Sequence, residues 1–255
     1  MKRLQDGEIE WLEFELLAGL PRLRHGVFLR AGGVSSGPFD SLNTGRDVGD
    51  QEASVCDNMS RIDKIVEDCS GRKVRRVHGT GVHGKRIVEV HLGSEIEIAN
   101  CDGLLTKQTG VALMMRHADC QVALMYDPKL HCAANIHSGW RGNVLNIYKE
   151  AVHLMKDCFG SDPANLLVGI SPSLGPDHAE FIHFREMLPK DFWPFQIRPA
   201  YFDFWAIAKY QLQSAGVLPH HIEIASLCTY SNPRDFFSYR RDSITGRHSS
   251  YILLL

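Results

Sequence analysis

Apolar residues along this chain recur with two different periods. Val55, Met59, Ile62, Val66 and Cys69 follow one another at alternating steps of four and three, which places them on one face of a helix. Asp50 stands ahead of that face as a cap, and Gly71 follows it as a stop. Val144, Tyr148, Val152, Met155 and Phe159 predict a second helix ended by Gly160, and residues 204–215 a third with Gly216 at its C-terminus. Between these lie short β-type runs at 25–30, 86–92, 111–115, 121–126, 131–137, 166–170 and 222–227. Several are apolar at consecutive positions, the pattern of strands covered on both faces.

No internal repeat, low-complexity block or Pro/Ser-rich linker divides the sequence, so a single domain over residues 1–255 is expected. Strands and helices do not alternate one for one, and neither G-x-G-x-x-G nor G-x-x-x-x-G-K-[ST] occurs. A dinucleotide fold and a P-loop are therefore set aside. The expected architecture is α+β, with mixed β-sheets in layers flanked by helices.

With 44% hydrophobic and 23% charged residues the composition is that of an ordinary globular protein. Twenty-eight Lys and Arg against 30 Asp and Glu leave a net charge of -2, which provides no field for gathering nucleic acid or an anionic membrane. The acidic start MKRLQDGEIEWLEF lacks the apolar run of a signal peptide, and no stretch approaches the ~18 apolar residues of a membrane span. Seven scattered cysteines with no C-x-x-C pair point away from a disulfide framework. Together these favour the reducing cytoplasm. The 13 histidines are the compositional hint of metal or acid/base chemistry.

That chemistry concentrates in RHADCQVALMYDPKLHCAANIHSGWRG, residues 116–142. Read as a hairpin with a four-residue loop at 127–130, the segment brings Cys120 directly opposite His137, close enough for a thiolate and an imidazole to share a metal ion or a proton. Ser138-Gly139-Trp140-Arg141-Gly142 then leads into the second helix and offers an anion pocket with Arg141 at its edge. His78 in the Gly-rich stretch 76–83 is a candidate third ligand, with His83 as its competitor. A metal-free alternative uses Cys120 as nucleophile and His137 as base, oriented by Asp119 or Asp102. Another gives copper to the same His/His/Cys set, near Met114, Met115 or Met125, for phenol oxidation.

Six ordered blocks carry a resemblance: SLNTGRDVGD (41–50), RRVHG (75–79), CDGLLT (101–106), HADC (117–120), HSGWRG (137–142) and FFSYRRDSITGR (236–247). The chain resembles the laccase-domain family that includes the bacterial polyphenol oxidase and purine nucleoside phosphorylase proteins. Only the first ~25 residues and the region 178–200 fall outside clear blocks. The resemblance implies a zinc site at His78, Cys120 and His137, mixed sheets flanked by helices, and phosphorolysis of adenosine, inosine and methylthioadenosine with adenosine deamination as a second activity. Three protein ligands leave a fourth zinc position open, as catalysis requires. Asp119 is then the expected proton carrier in deamination. Arg141 is assigned to phosphate, with Asn43, Arg46, Arg240 and Arg241 as further substrate contacts. The sequence departs from the family pattern at Arg76, where Gln usually precedes V-H-G, and at His117, where Thr usually precedes A-D-C.

Overall fold

A computed structural model describes all 255 residues. Two sheets lie face to face. The first has seven strands in the order β1 (Lys2–Asp6), β2 (Ile9–Glu13), β3 (Leu23–Phe28), β15 (His248–Leu254), β8 (Val111–His117), β4 (Arg75–Gly79) and β6 (Glu97–Ile98). The second has six, in the order β14 (Ile222–Ile224), β11 (Leu167–Ile170), β9 (Gln121–Asp127), β10 (Cys132–Ser138), β7 (Gly103–Thr106) and β5 (Ile87–Glu89). A small ribbon of β12 (Gln196–Arg198) and β13 (Tyr201–Phe202) stands apart from both. The helices are α1 (Glu52–Ser70), α2 (Trp140–Val144), α3 (Ile147–Phe159), α4 (Phe184–Met187), α5 (Phe204–Ser214) and α6 (Tyr239–Asp242).

Alternation along the strands explains the layering. On β8, Leu113 and Met115 join Val122, Leu124 and Tyr126 of β9 in the core between the sheets. Ala112 and Met114 of the same strand face outward with Tyr251 and Leu253, and pack against Val55, Met59, Ile62 and Val66 of α1. The outer face of the second sheet is covered by Tyr148, Val152 and Met155 of α3 and by Leu212 of α5. Each sheet is thus apolar on both faces, which is why its sequence reads as continuous hydrophobic runs. In the middle of the stack Asn135 of β10 reaches across, its Nδ2 donating at 2.9 Å to both the Leu113 and Ser250 carbonyls.

The α+β architecture expected from the sequence is the one observed; in the two sheets, strands β1, β2, β4, β6, β7 and β15 lie outside the expected β-type runs, and three expected features differ locally. Asp50 does not cap α1: its carboxylate accepts from Ser35 and Asn43, and Gln51 occupies the cap position without a side-chain bond. The second predicted helix is broken in two. Asn146 adopts φ 54° and restarts the chain as the cap of α3, its side chain accepting from the Lys149 amide at 3.2 Å. The hairpin also closes later than read, with Asp127 paired to Cys132 and loop 128–131 between them. Asp127 holds that loop by accepting from the Lys129 and Leu130 amides, so it stays in the strand.

Candidate metal centre and anion-lined cavity

The C-terminal ends of β4, β8 and β10 and the start of β9 gather at one end of the stack, because β4 runs parallel to β8 and β9 antiparallel to β10. Residues 118–120 form the link that crosses from the first sheet to the second there. Asp119 in that link has φ 80°, a left-handed conformation that Asp tolerates. The later hairpin register sets His137 opposite Val122, so Cys120 is its diagonal neighbour on the same face instead of its direct partner.

Three donor atoms converge. Cys120, His137 and His83 present one sulfur and two imidazole nitrogens, all within 4.8 Å of one another, with Cys120 Sγ 3.7 Å from His83 Nε2. His83 reaches this point through a left-handed residue, φ 60°, in a loop wrapped around one buried carboxylate. Asp102 accepts from the backbone amides of Val82, His83 and Gly84 at 3.2, 2.9 and 2.8 Å. It also bonds His137 Nδ1 at 3.0 Å, which leaves His137 Nε2 to face the sulfur. One side chain therefore positions two of the three donors. Close approach depends on Gly139: a Cβ there would lie 2.7 Å from His83 Cδ2 and 3.1 Å from Cys120 Sγ.

Electrostatics follow from this packing. Burial alone would raise the Asp102 carboxyl, yet the bond to His137 and the amides of Gly84 and Val82 hold it below the ordinary carboxylate range. Burial likewise opposes the Cys120 thiolate, but His137 beside it and the hydrogen bonds from His137 and His83 lower its pKa to about 6. For His137 burial works against the imidazolium, and the Cys120 thiolate with Asp102 outweighs it, raising the pKa to about 10. One thiolate and two imidazoles, with no fourth protein donor in the cluster, match the donor chemistry of an open zinc site.

His78, expected as a ligand, stands outside the cluster. Its strand β4 runs beside β6 with His78 in register with Glu97, and His78 Nε2 bonds Glu97 Oε2 at 2.9 Å. The triplet Val-His-Gly occurs twice, at 77–79 and at 82–84, and the fold brings the second copy to Cys120. Burial, with Arg116 nearby, lowers His78 to about 4 and keeps it neutral.

The cluster opens on a cavity of about 660 Å³. Arg46, Arg116, Arg141, Arg240 and Arg247 line it, and Phe181, Phe204 and Trp140 form an aromatic stretch of the wall. Arg141 lies over the Trp140 ring at 4.9 Å. The one-turn α2 behind it supplies too little helix for the dipole pocket read from S-G-W-R-G, which leaves the Arg141 guanidinium as the positive group at that point of the wall. Phe181 comes from the region outside the sequence blocks, and packs edge-on to Trp140 at 6.0 Å.

Three other expected residues serve the framework. Asn43 is fully buried and holds the Gly45 and Arg247 amides with its Oδ1. Arg241 donates to the carbonyls of Thr229, Tyr230 and Phe236, closing the 229–236 loop. Asp119 has both oxygens taken, one by the Thr229 hydroxyl at 2.6 Å and the other by the Arg240 amide at 2.6 Å, so it clasps the start of α6 and is poorly placed to carry a proton. Arg116 and Arg247 were not among the expected contacts; Arg116 adjoins the block 117–120 and Arg247 ends the block 236–247.

A cysteine and two histidines gathered at one end of layered sheets, open to a cavity lined by arginines, form a candidate metal centre. Residues 24–255 match the family described as multi-copper polyphenol oxidoreductase laccase, and the chain belongs to that family. A purine nucleoside phosphorylase of Pseudomonas aeruginosa is 32% identical over 243 residues, covering 91% of this chain and 94% of that protein. Purine nucleoside phosphorylase YfiH of Shigella flexneri is 31% identical, covering 89% of this chain and 91% of that protein. Among solved structures, YlmD from Geobacillus stearothermophilus superposes with a TM-score of 0.86 at 28% identity, covering 98% of this chain and 97% of that one.

Proposed function

We propose that the protein is a zinc-dependent purine nucleoside phosphorylase acting on adenosine, inosine and methylthioadenosine, with adenosine deamination as a side activity, and that His83, Cys120 and His137 hold the metal. The observation that carries this reading is the open three-donor cluster at the wall of a cavity lined by aromatics and by five arginines. It is supported by relatives of about 30% identity that carry the phosphorylase name. The free cysteines suit a cytoplasmic enzyme.

Within this reading the chain's own residues divide the work. The wall of Phe181, Phe204 and Trp140 takes the face of the purine. Arg141, free of any carboxylate partner, holds phosphate, with Arg46, Arg240 and Arg247 completing a positive lining. Asp102 fixes the His137 tautomer, so its Nε2 points at the site whatever the substrate. Zinc, when bound, supplies a Lewis acid for charge developing on the substrate.

The test is to incubate adenosine with zinc-loaded protein, with and without phosphate, and separate inosine, adenine and hypoxanthine. Free bases should appear only with phosphate, inosine in both cases. Arg141→Ala should raise the KM for phosphate more than that for nucleoside, by roughly 10- to 100-fold, the equivalent of about 1.5–3 kcal/mol for a charged hydrogen bond. The donor set also suits copper. No purine product under either condition, with phenol oxidation by a copper-loaded sample, would replace this reading by the oxidase.

A further inference from the structure

Behind the cluster lies a second histidine pair that the proposed chemistry leaves unused. His117 ends β8 and His248 begins β15, directly opposite each other in the ladder. Their ring centroids are 4.2 Å apart at 72°, an edge-to-face contact, and both rings are buried. His248 sits against Phe236 and Phe237, with no hydrogen-bond partner at either nitrogen. His117, by contrast, is fully engaged. Its Nδ1 lies 3.1 Å from the Cys120 carbonyl and its Nε2 2.7 Å from Ser250 Oγ.

The partners fix the tautomer. A carbonyl only accepts, so Nδ1 carries the proton and donates to Cys120; Nε2 then accepts from the Ser250 hydroxyl. The bond closes a ring from residue 117 to residue 120, spanning the link between the two sheets. That link contains the left-handed Asp119, whose own carbonyl accepts from the Leu174 amide at 2.9 Å. Residues 118–120 belong to neither ladder, so anchors of this kind must supply the shape that strand pairing supplies elsewhere.

We propose that His117 is a positioning residue: by holding the Cys120 carbonyl it sets the turn that presents the Cys120 sulfur to the metal. The proposal rests on Cys120 being a metal ligand. His117 acts through the backbone, never on the substrate.

The experiment compares His117→Asn, His117→Gln and His117→Ala in the full-length protein. Asn places an amide N–H where Nδ1 lies and can keep the bond to the carbonyl; Gln places its amide near Nε2 and cannot. Zinc affinity is measured by competition with a chromophoric chelator, and the thiolate-to-metal charge-transfer band is followed with cobalt. Thermal midpoints of the metal-free proteins report folding separately. His117→Ala and His117→Gln should lose about 10- to 100-fold in affinity and show a shifted or weakened band. His117→Asn should stay within about threefold of the parent with its band in place. Equal losses in Asn and Gln, or an unchanged affinity in Ala, would overturn the proposal whatever the thermal midpoints do. Cys120→Ser is the separate arm: retained zinc affinity there would sink the metal assignment itself, whereas loss there with all three His117 variants unchanged would sink the positioning role alone.

Discussion

Asp102 shows how much of the site rests on single residues. Its one carboxylate collects three backbone amides and an imidazole, so the loop carrying His83 and the ring of His137 share an anchor. Choosing between His78 and His83 needed that anchor. The two copies of Val-His-Gly are equal as sequence, and only the wrapping of 82–84 around Asp102 separates them. Cys120 and His137, by contrast, were legible, because strand alternation keeps them on one face even in the shifted register. Accordingly His83→Ala and Cys120→Ser should each abolish tight zinc binding in a chelator competition while His78→Ala leaves it within a few fold. Proton release tests the same pair. The pairing lowers the Cys120 thiol and raises the His137 imidazole, so near neutral pH the metal-free pair is a thiolate beside an imidazolium and binding expels the proton on His137. Calorimetry at pH 8 in buffers of different ionisation enthalpy should report it, and affinity should fall with acidification, more steeply once the Cys120 thiolate also protonates.

At the scale of the element, the apolar periods located the three long helices and five strands of the second sheet but only β3 and β8 of the first, and two of the elements they did locate are altered by polar side chains that bend the backbone. Asp127 accepting from two loop amides moved the hairpin, and Asn146 split what periodicity reads as one helix. Neither effect leaves a trace in a hydrophobic pattern, because each depends on one oxygen finding nearby amides. Strand β15 escaped for another reason: His248, Ser249 and Ser250 open it with polar residues that are fully buried and serve the site end of the sheet. The break at Asn146 carries its own test. Asn146→Ala forfeits both the cap and the tolerated left-handed conformation, and should cost about 2 kcal/mol in chemical denaturation. Asn146→Gly, which keeps the conformation and loses only the cap bond, should cost clearly less.

For the whole molecule, the unusual histidine content has a consequence for acid stability. His25, His78, His117 and His248 are all buried, and burial pushes every one of them down: His25 and His78 to about 4, His248 to about 3, and His117 well below its ordinary value. In the unfolded chain each protonates near pH 6.5. The folded state binds fewer protons across the interval below that, so stability rises with pH there and is lost on acidification from about 6.5 toward 4 and 3. Urea midpoints measured between pH 7 and 4.5 should fall steadily. His248→Phe, which removes the member lacking any hydrogen-bond partner, should flatten that slope and raise the midpoint at pH 5. An unchanged slope in the variant would mean that His248 is protonated inside the fold.

Strand β15 also fixes an order of events during biosynthesis. It lies between β3 and β8, and its partners are made long before it: residues 23–28 and 111–117 leave the ribosome while residues 248–254 are still untranslated. Until they emerge, two apolar strand edges in the middle of the first sheet have no neighbour, an arrangement that invites pairing with other nascent chains. Ser250, which receives Asn135 from the opposite sheet and bonds His117 behind the cysteine, arrives with that last strand. The order of synthesis therefore reaches the candidate site: a chain stalled before residue 248 holds His83, Cys120 and His137 but lacks the Ser250 hydroxyl that bonds His117 beside them.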